Sequence, residues 1–202
     1  MFVQVIQGRV ADPEPARAQL DRWVADLAPG AAGWLGSTSG VTDDGRTIAL
    51  VRFESEESAR RNSERPEQSA WWQEMAALYD GEPTFHDSKA VEVDLPGDPA
   101  QAGFVQVMQG RTSDVRRVRE LMSADPTDWA SYRPDVLGTV WLAHEDDDWT
   151  MAIYFTSEAA AREGEQKAPP AELQAMLEEL QSLAIGGTDY FDLRDPWLQA
   201  SG

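Results

Sequence analysis

The chain has 202 residues, 42% of them hydrophobic, which is enough for one large domain or two small ones with a sizeable core. It has no cysteine, which excludes disulfides, thiolate zinc sites, iron–sulfur clusters and a cysteine nucleophile. A net charge of −19 repels phosphate backbones and anionic lipid, so no nucleic-acid and no membrane partner is expected.

The first predicted element is a strand over Phe2 to Gly8, an apolar and polar mixture that ends at glycine. It has no basic start and no apolar stretch of the kind that opens a secretory leader, so the expected location is the cytoplasm. Asp12-Pro13 then opens a helix, with Asp12 as N-cap and Leu20, Trp23, Val24 and Leu27 at helical spacing. Pro29-Gly30 ends it. Trp34 to Val41 and Thr47 to Phe53 read as a hairpin turned by Asp43-Asp44-Gly45. Ser55-Glu56 starts a second helix, which Pro66 interrupts, because proline lacks the N–H and clashes with the preceding turn. The helix resumes through Trp71, Met75 and Leu78, and Thr84 to Val93 follows as a last strand.

The same order then repeats. Phe2-Val3-Gln4-Val5-Ile6-Gln7-Gly8-Arg9 returns as Phe104-Val105-Gln106-Val107-Met108-Gln109-Gly110-Arg111, at an offset of 102 residues. That offset also aligns Leu35-Gly36 with Leu137-Gly138, and Phe53, Ser55, Glu56, Ala59 and Arg60 with Phe155, Ser157, Glu158, Ala161 and Arg162. A period this long marks a duplicated domain, since solenoid repeats run roughly 20–50 residues. The expected domains are residues 1–94, a linker over 95–102, and residues 103–202. Each is a ferredoxin-like β-α-β-β-α-β unit of the α+β class, with both helices on one face of an antiparallel sheet. Two fused copies are expected to pair sheet to sheet as an intrachain pseudo-dimer, an eight-stranded barrel complete as a monomer.

The opening strand ending at Gln7, and Phe53-Glu54-Ser55-Glu56-Glu57-Ser58-Ala59 followed by Asn62 and Pro66, resemble the antibiotic-biosynthesis monooxygenase family of the dimeric α+β barrel superfamily. The motif occurs again at Phe155-Thr156-Ser157-Glu158. The resemblance implies a pocket in each unit, between sheet and helices, and cofactor-free oxygenation of polyphenolic or quinol substrates. By position, Asn62 matches a pocket asparagine, Trp72 a pocket tyrosine and His86 a pocket arginine. Gln7 lies near an asparagine of the haem-degrading branch. A pocket tryptophan expected shortly after the asparagine is replaced, with Pro66 near its place. The histidine that would ligate haem iron is missing, so no haem is expected.

Asn62, Trp72 and His86 are thus the candidate catalytic residues, and Gln7, Trp72, Phe53 and Phe85 the candidate substrate-binding ones. Each also has a plainer reading. Asn62 can cap or face solvent, Trp72 can be a rim residue, and His86 can be a satisfied strand histidine. Gln7 and its counterpart Gln109 can close a strand end through backbone hydrogen bonds. Trp71 falls in the core stripe with Met75 and Leu78. His86 and His144 fall at unrelated places in the repeat, so no metal site is expected. In the second copy Asn62, Trp72 and His86 become Gly164, Gln174 and Phe191, which suggests that one pocket was kept and the other became structural. The expected function is cofactor-independent oxygenation of an aromatic, polyketide-like or quinol small molecule. The alternative is a non-catalytic binding or structural protein of the same fold.

Overall fold

The computed structural model describes residues 1–200. The first repeat runs β1 (Phe2–Arg9), α1 (Pro13–Asp26), β2 (Trp34–Val41), β3 (Arg46–Phe53), α2 (Glu56–Ser63), α3 (Pro66–Ala76), β4 (Thr84–Ser88) and β5 (Ala90–Asp94). The second runs β6 (Phe104–Thr112), α4 (Val115–Ala124), α5 (Trp129–Tyr132), β7 (Val136–Ala143), β8 (Asp148–Phe155), α6 (Glu158–Glu165), α7 (Ala171–Leu183), β9 (Ala184–Leu193) and β10 (Trp197–Ala200). The fold is α+β, with two five-stranded sheets in the orders β10-β2-β3-β1-β4 and β5-β7-β8-β6-β9. No helix of the described residues is long and apolar enough to cross a membrane.

Local chemistry sets the helix ends. The Asp12 carboxylate accepts from the Glu14 amide, and the Ser55 hydroxyl accepts from the Ser58 amide at 3.1 Å. Ser157 does the same for Ala160 at 3.2 Å in the second repeat. Each hydroxyl or carboxylate satisfies one of the orphan amides of a first helical turn. Pro66 occupies the first position of α3, where no intrahelical amide is needed, so it divides two helices instead of kinking one.

The duplication is visible bond by bond. Phe2 pairs with Phe53 and Arg9 with Arg46 across β1 and β3, and Phe104 pairs with Phe155 and Arg111 with Asp148 across β6 and β8. Even the irregularity repeats: β2 slips register between Trp34 and Gly36, and β7 slips between Val136 and Gly138.

The domain limits differ from the repeat limits. The first compact unit holds the chain to Val91 together with the segment from Phe191 onward, and the second holds Glu92–Tyr190. The reason is strand addition. β10 lies antiparallel to β2, with Trp197 opposite Ser39 and Ala200 opposite Gly36, and its side chains join the first unit's core. The anticipated single strand over Thr84 to Val93 is likewise two strands, and only β4 pairs with β1. The Gly97 amide donates to Leu137 O at 3.0 Å, and Pro99–Gln101 forms a helical turn.

Inside the second unit lies a buried ion pair. Arg133 donates to Asp135 through Nε at 2.9 Å and Nη2 at 2.7 Å, with side-chain exposures of 11% and 8%. Burial pushes the Asp135 carboxyl up, but the Arg133 hydrogen bonds and charge outweigh it and hold the carboxyl below its ordinary value. The pair therefore stabilises the fold above the ordinary aspartate value of 3.8, and its contribution fades as pH falls below that. Asp135→Ala strands a buried guanidinium, and urea unfolding near neutral pH should show a loss of about 3–5 kcal/mol. The gap between wild type and variant should narrow in acid. A constant gap across that range would show that the pair contributes little.

Candidate functional site

Side-chain parity builds the site. On β1, Val3 and Val5 point to one face of the first sheet and Gln4 and Ile6 to the other. Partners directly across a ladder share a face, so Ala49, Val51 and Phe53 of β3 join Gln4 and Ile6. On that same face Ser39 of β2 stands beside Trp197 of β10. The helices cover this face incompletely, and a cavity of about 430 Å³ remains between sheet and helices. Ligand pockets usually span roughly 300–1,000 Å³.

The walls are aromatic. Trp23 of α1 meets Trp34 edge-on at 5.0 Å and lies 6.2 Å from Trp71. Trp72 continues the series to Tyr79 at 6.3 Å and to Phe85 at 5.3 Å. Phe85 is 46% exposed, which places it at the cavity's mouth. Every polar side chain in the lining is an amide, a hydroxyl, an indole or a phenol, and no lining residue carries a formal charge.

Most of these polar groups are already engaged. Trp23 Nε1 donates to Gln68 Oε1 at 2.6 Å and Trp71 Nε1 to Gln19 O at 2.9 Å. Burial pushes the Tyr79 phenol up, and its hydrogen bond with Thr47 opposes this only in part, so the phenol stays protonated. Two donors are left over. Trp34 Nε1 is buried and has no partner among the described residues. Asn62, 6% exposed at the end of α2, accepts from Arg65 Nη1 through Oδ1 at 2.9 Å, while its Nδ2 donates to no group among the described residues. A buried donor without an acceptor costs about 1–3 kcal/mol, which applies to Trp34 Nε1, and the Asn62 amide, on a residue that lines the cavity, is open to an acceptor brought by a ligand.

The sequence candidates separate on this geometry. Asn62, Trp72, Phe53 and Phe85 all line the cavity. His86 pairs with Val5 and therefore projects from the opposite face of the sheet, where it is exposed. Gln7 lies on that opposite face too, in register with Ile48. Gly8, shared with the second copy as Gly110, has a packing role: a Cβ there would lie 2.3 Å from the Tyr79 ring. The candidates omitted Trp34, Tyr79 and Trp197. Trp34 and Tyr79 gave only strand and helix-end signals, and the place of Trp197 depends on β10 joining β2. Asp87 was missed as well. It faces Gln4 across β1 and β4 and accepts from Gln4 Nε2 at 3.0 Å, which puts a carboxylate beside the cavity's Gln4 edge.

In the second unit a guanidinium stands at the place that matches Asn62. Gly164 stands where Asn62 stands in the first, and a Cβ on Gly164 would lie 2.2 Å from Arg133 Nε. The Arg133 guanidinium occupies that place, 5.6 Å from the Phe155 ring, held by Asp135. At the offset of 102, Arg133 and Asp135 replace Ala31 and Gly33, and Trp141 and Trp149 replace Ser39 and Thr47. Phe191, the counterpart of His86, packs in the first unit, 4.5 Å beneath the Arg46 guanidinium.

No protein-family model matches the chain, and no curated protein matches it significantly. Solved structures do. A candidate monooxygenase from Lactobacillus acidophilus NCFM is 11% identical over 98% of both chains, with a TM-score of 0.74. A candidate monooxygenase from Fusobacterium nucleatum subsp. nucleatum ATCC 25586 is 8% identical over 100% of this chain and 94% of its own, also with a TM-score of 0.74. An anthrone oxidase-like protein is 12% identical over 100% and 91%, with a TM-score of 0.67. At such identities the likeness is one of fold alone: the chain shares the fold of these monooxygenase and anthrone oxidase-like proteins over its whole length.

Trp197 tests the site's construction. It is 6% exposed, packs with Trp23 and Trp34, and comes from the far end of the chain. Trp197→Ala should cost about 3–5 kcal/mol in urea unfolding. A loss within error of zero would mean that β10 does not wall the cavity in solution.

Proposed function

We propose that the first unit binds one uncharged, planar aromatic small molecule carrying a carbonyl or phenolic oxygen, and that it oxygenates such a ligand with dioxygen and without a cofactor. The observation that carries this reading is the cavity itself, walled by aromatic rings, lined by no charged residue, and furnished with an amide donor at Asn62. Rings supply area for stacking and edge contacts, and the amide supplies direction. The monooxygenase and anthrone oxidase-like proteins of the same fold support the oxygenase class.

An anthrone-type substrate illustrates the chemistry. Loss of one methylene proton leaves an enolate, whose oxygen accepts from Asn62 Nδ2, so charge is stabilised where it develops. The proton passes to the rim, where Asp87 is the carboxylate beside Gln4. The carbanion form gives an electron to dioxygen, and recombination forms a carbon–oxygen bond. Loss of water then leaves a carbonyl in place of the methylene. One oxygen atom enters the product, and the other leaves as water with the two methylene hydrogens.

A second reading, binding without turnover, is favoured by the uncharged lining, which holds no base in direct reach of a ligand. Oxygen uptake with anthrone and with quinols separates the two. Turnover should fall about 10²-fold in Asn62→Ala and by a similar factor in Asp87→Asn, and His86→Ala should leave it near the wild-type rate. Quenching of tryptophan fluorescence without oxygen uptake would favour the binder. Neither quenching nor uptake across the panel would end both readings.

A further inference from the structure

We infer that Arg65 is a positioning residue that fixes and polarises the Asn62 amide, and so makes the cavity selective for aromatic ligands that bear an oxygen acceptor. This rests on the ligand reading above and concerns which ligands the site prefers.

An asparagine amide can turn either end toward its neighbour, since its oxygen accepts and its nitrogen donates. The guanidinium of Arg65 only donates, and it reaches Asn62 Oδ1 at 2.9 Å. The reversed amide would set two donors against each other, so Oδ1 is committed to Arg65 and Nδ2 is turned away from it. A positively charged donor on Oδ1 also draws electron density from the amide nitrogen, which strengthens Nδ2 as a donor in a low-dielectric site. The cavity lining has no cation of its own, so this bond is how positive charge acts on a ligand there.

The backbone places the guanidinium for this task. Pro66 disfavours helical geometry at the residue before it, and Arg65 is extended, with φ −70° and ψ 131°. The side chain is 19% exposed and further anchored by Leu27 O at 3.1 Å and Glu67 Oε1 at 3.0 Å. The second repeat loses both partners together, with Gly164 and Lys167 at the positions of Asn62 and Arg65.

The bond to Leu27 O also ties α1 to the start of α3, so a purely structural role is the competing explanation. Fluorenone and fluorene separate the two, because they share a shape and differ by one carbonyl. Binding is read by quenching of tryptophan fluorescence in the full chain. Wild type should bind fluorenone more tightly than fluorene. Arg65→Gln and Arg65→Met should weaken fluorenone about tenfold, the worth of one good hydrogen bond, and leave fluorene within about twofold. Arg65→Lys should recover part of the preference. Asn62→Ala should abolish it, and adding Arg65→Met to Asn62→Ala should change nothing further. In the infrared, the carbonyl stretch of bound fluorenone should lie lower in wild type than in the Arg65 variants. Equal weakening of both ligands, or an unshifted carbonyl band, would overturn the inference and leave Arg65 a scaffold residue. If wild type binds neither compound, the ligand reading itself fails, and this inference falls with it.

Discussion

The pairing of Phe2 with Phe53 decides what can reach the cavity. Side chains alternate along a strand, so one register assigns every residue of β1, β3 and β4 to a face. Here it sends Val3 and Val5 away and delivers Gln4, Ile6, Phe53 and Phe85 to the site. A slip of one residue would put His86 and Gln7 inside and take Phe85 out. Such a slip would also bring Val3 and Val5, fully buried on their own face, out of that environment. Burial on both faces therefore holds the register, and the chemistry of the cavity follows from it.

The same parity explains what could be read from sequence. The 102-residue offset aligned strand with strand, and the structure keeps that alignment through each ladder pair and through the slip at Gly36 and Gly138. The helix break at Pro66 and the hairpin turn at Gly45 are local events that local residues announce. His86 is different. Its place in a repeat can be matched, but the face it takes depends on its partner across the ladder, and no local signal carries that. Trp197 was hidden for a related reason: its position rests on pairing between β2 and a strand some 160 residues later, and short strands at a chain's end have weak periodicity. Arg65 was overlooked because it touches the site only through Asn62.

The two repeats share a backbone plan and differ in how they fill it. In the first, the short side chains of Ser39 and Thr47 line the cavity beside the aromatic walls. In the second, tryptophans stand at the positions aligned with them, Trp141 and Trp149, and Arg133, held by Asp135, lies against Gly164. A buried ion pair is a costly filler, because desolvation of both groups offsets much of their attraction. Its bidentate geometry, and the absent Cβ of Gly164, reduce that cost by letting the guanidinium sit flush against α6. The Asp135 carboxylate then fixes the guanidinium where the first unit has an amide facing a cavity. Divergence after duplication has thus acted on volume and charge at a few positions, and not on the scaffold.

Charge finally constrains what the open cavity can take. The chain carries −19 overall, and its cavity lining has no cation to offset that field. An anion would meet repulsion outside and would lose its hydration inside without a compensating charge. A neutral aromatic pays neither penalty, and it gains by burying its rings against indole. Charge that appears on such a ligand after it enters must therefore be met locally, and the local means is an amide hydrogen bond with a guanidinium behind it. That arrangement stabilises a small, localised negative charge on an oxygen far better than a permanent one on a carboxylate or phosphate. On the function proposed above, the ligand is then a molecule that arrives neutral and becomes polar at a single oxygen, which is the behaviour of phenols and enolisable aromatic ketones.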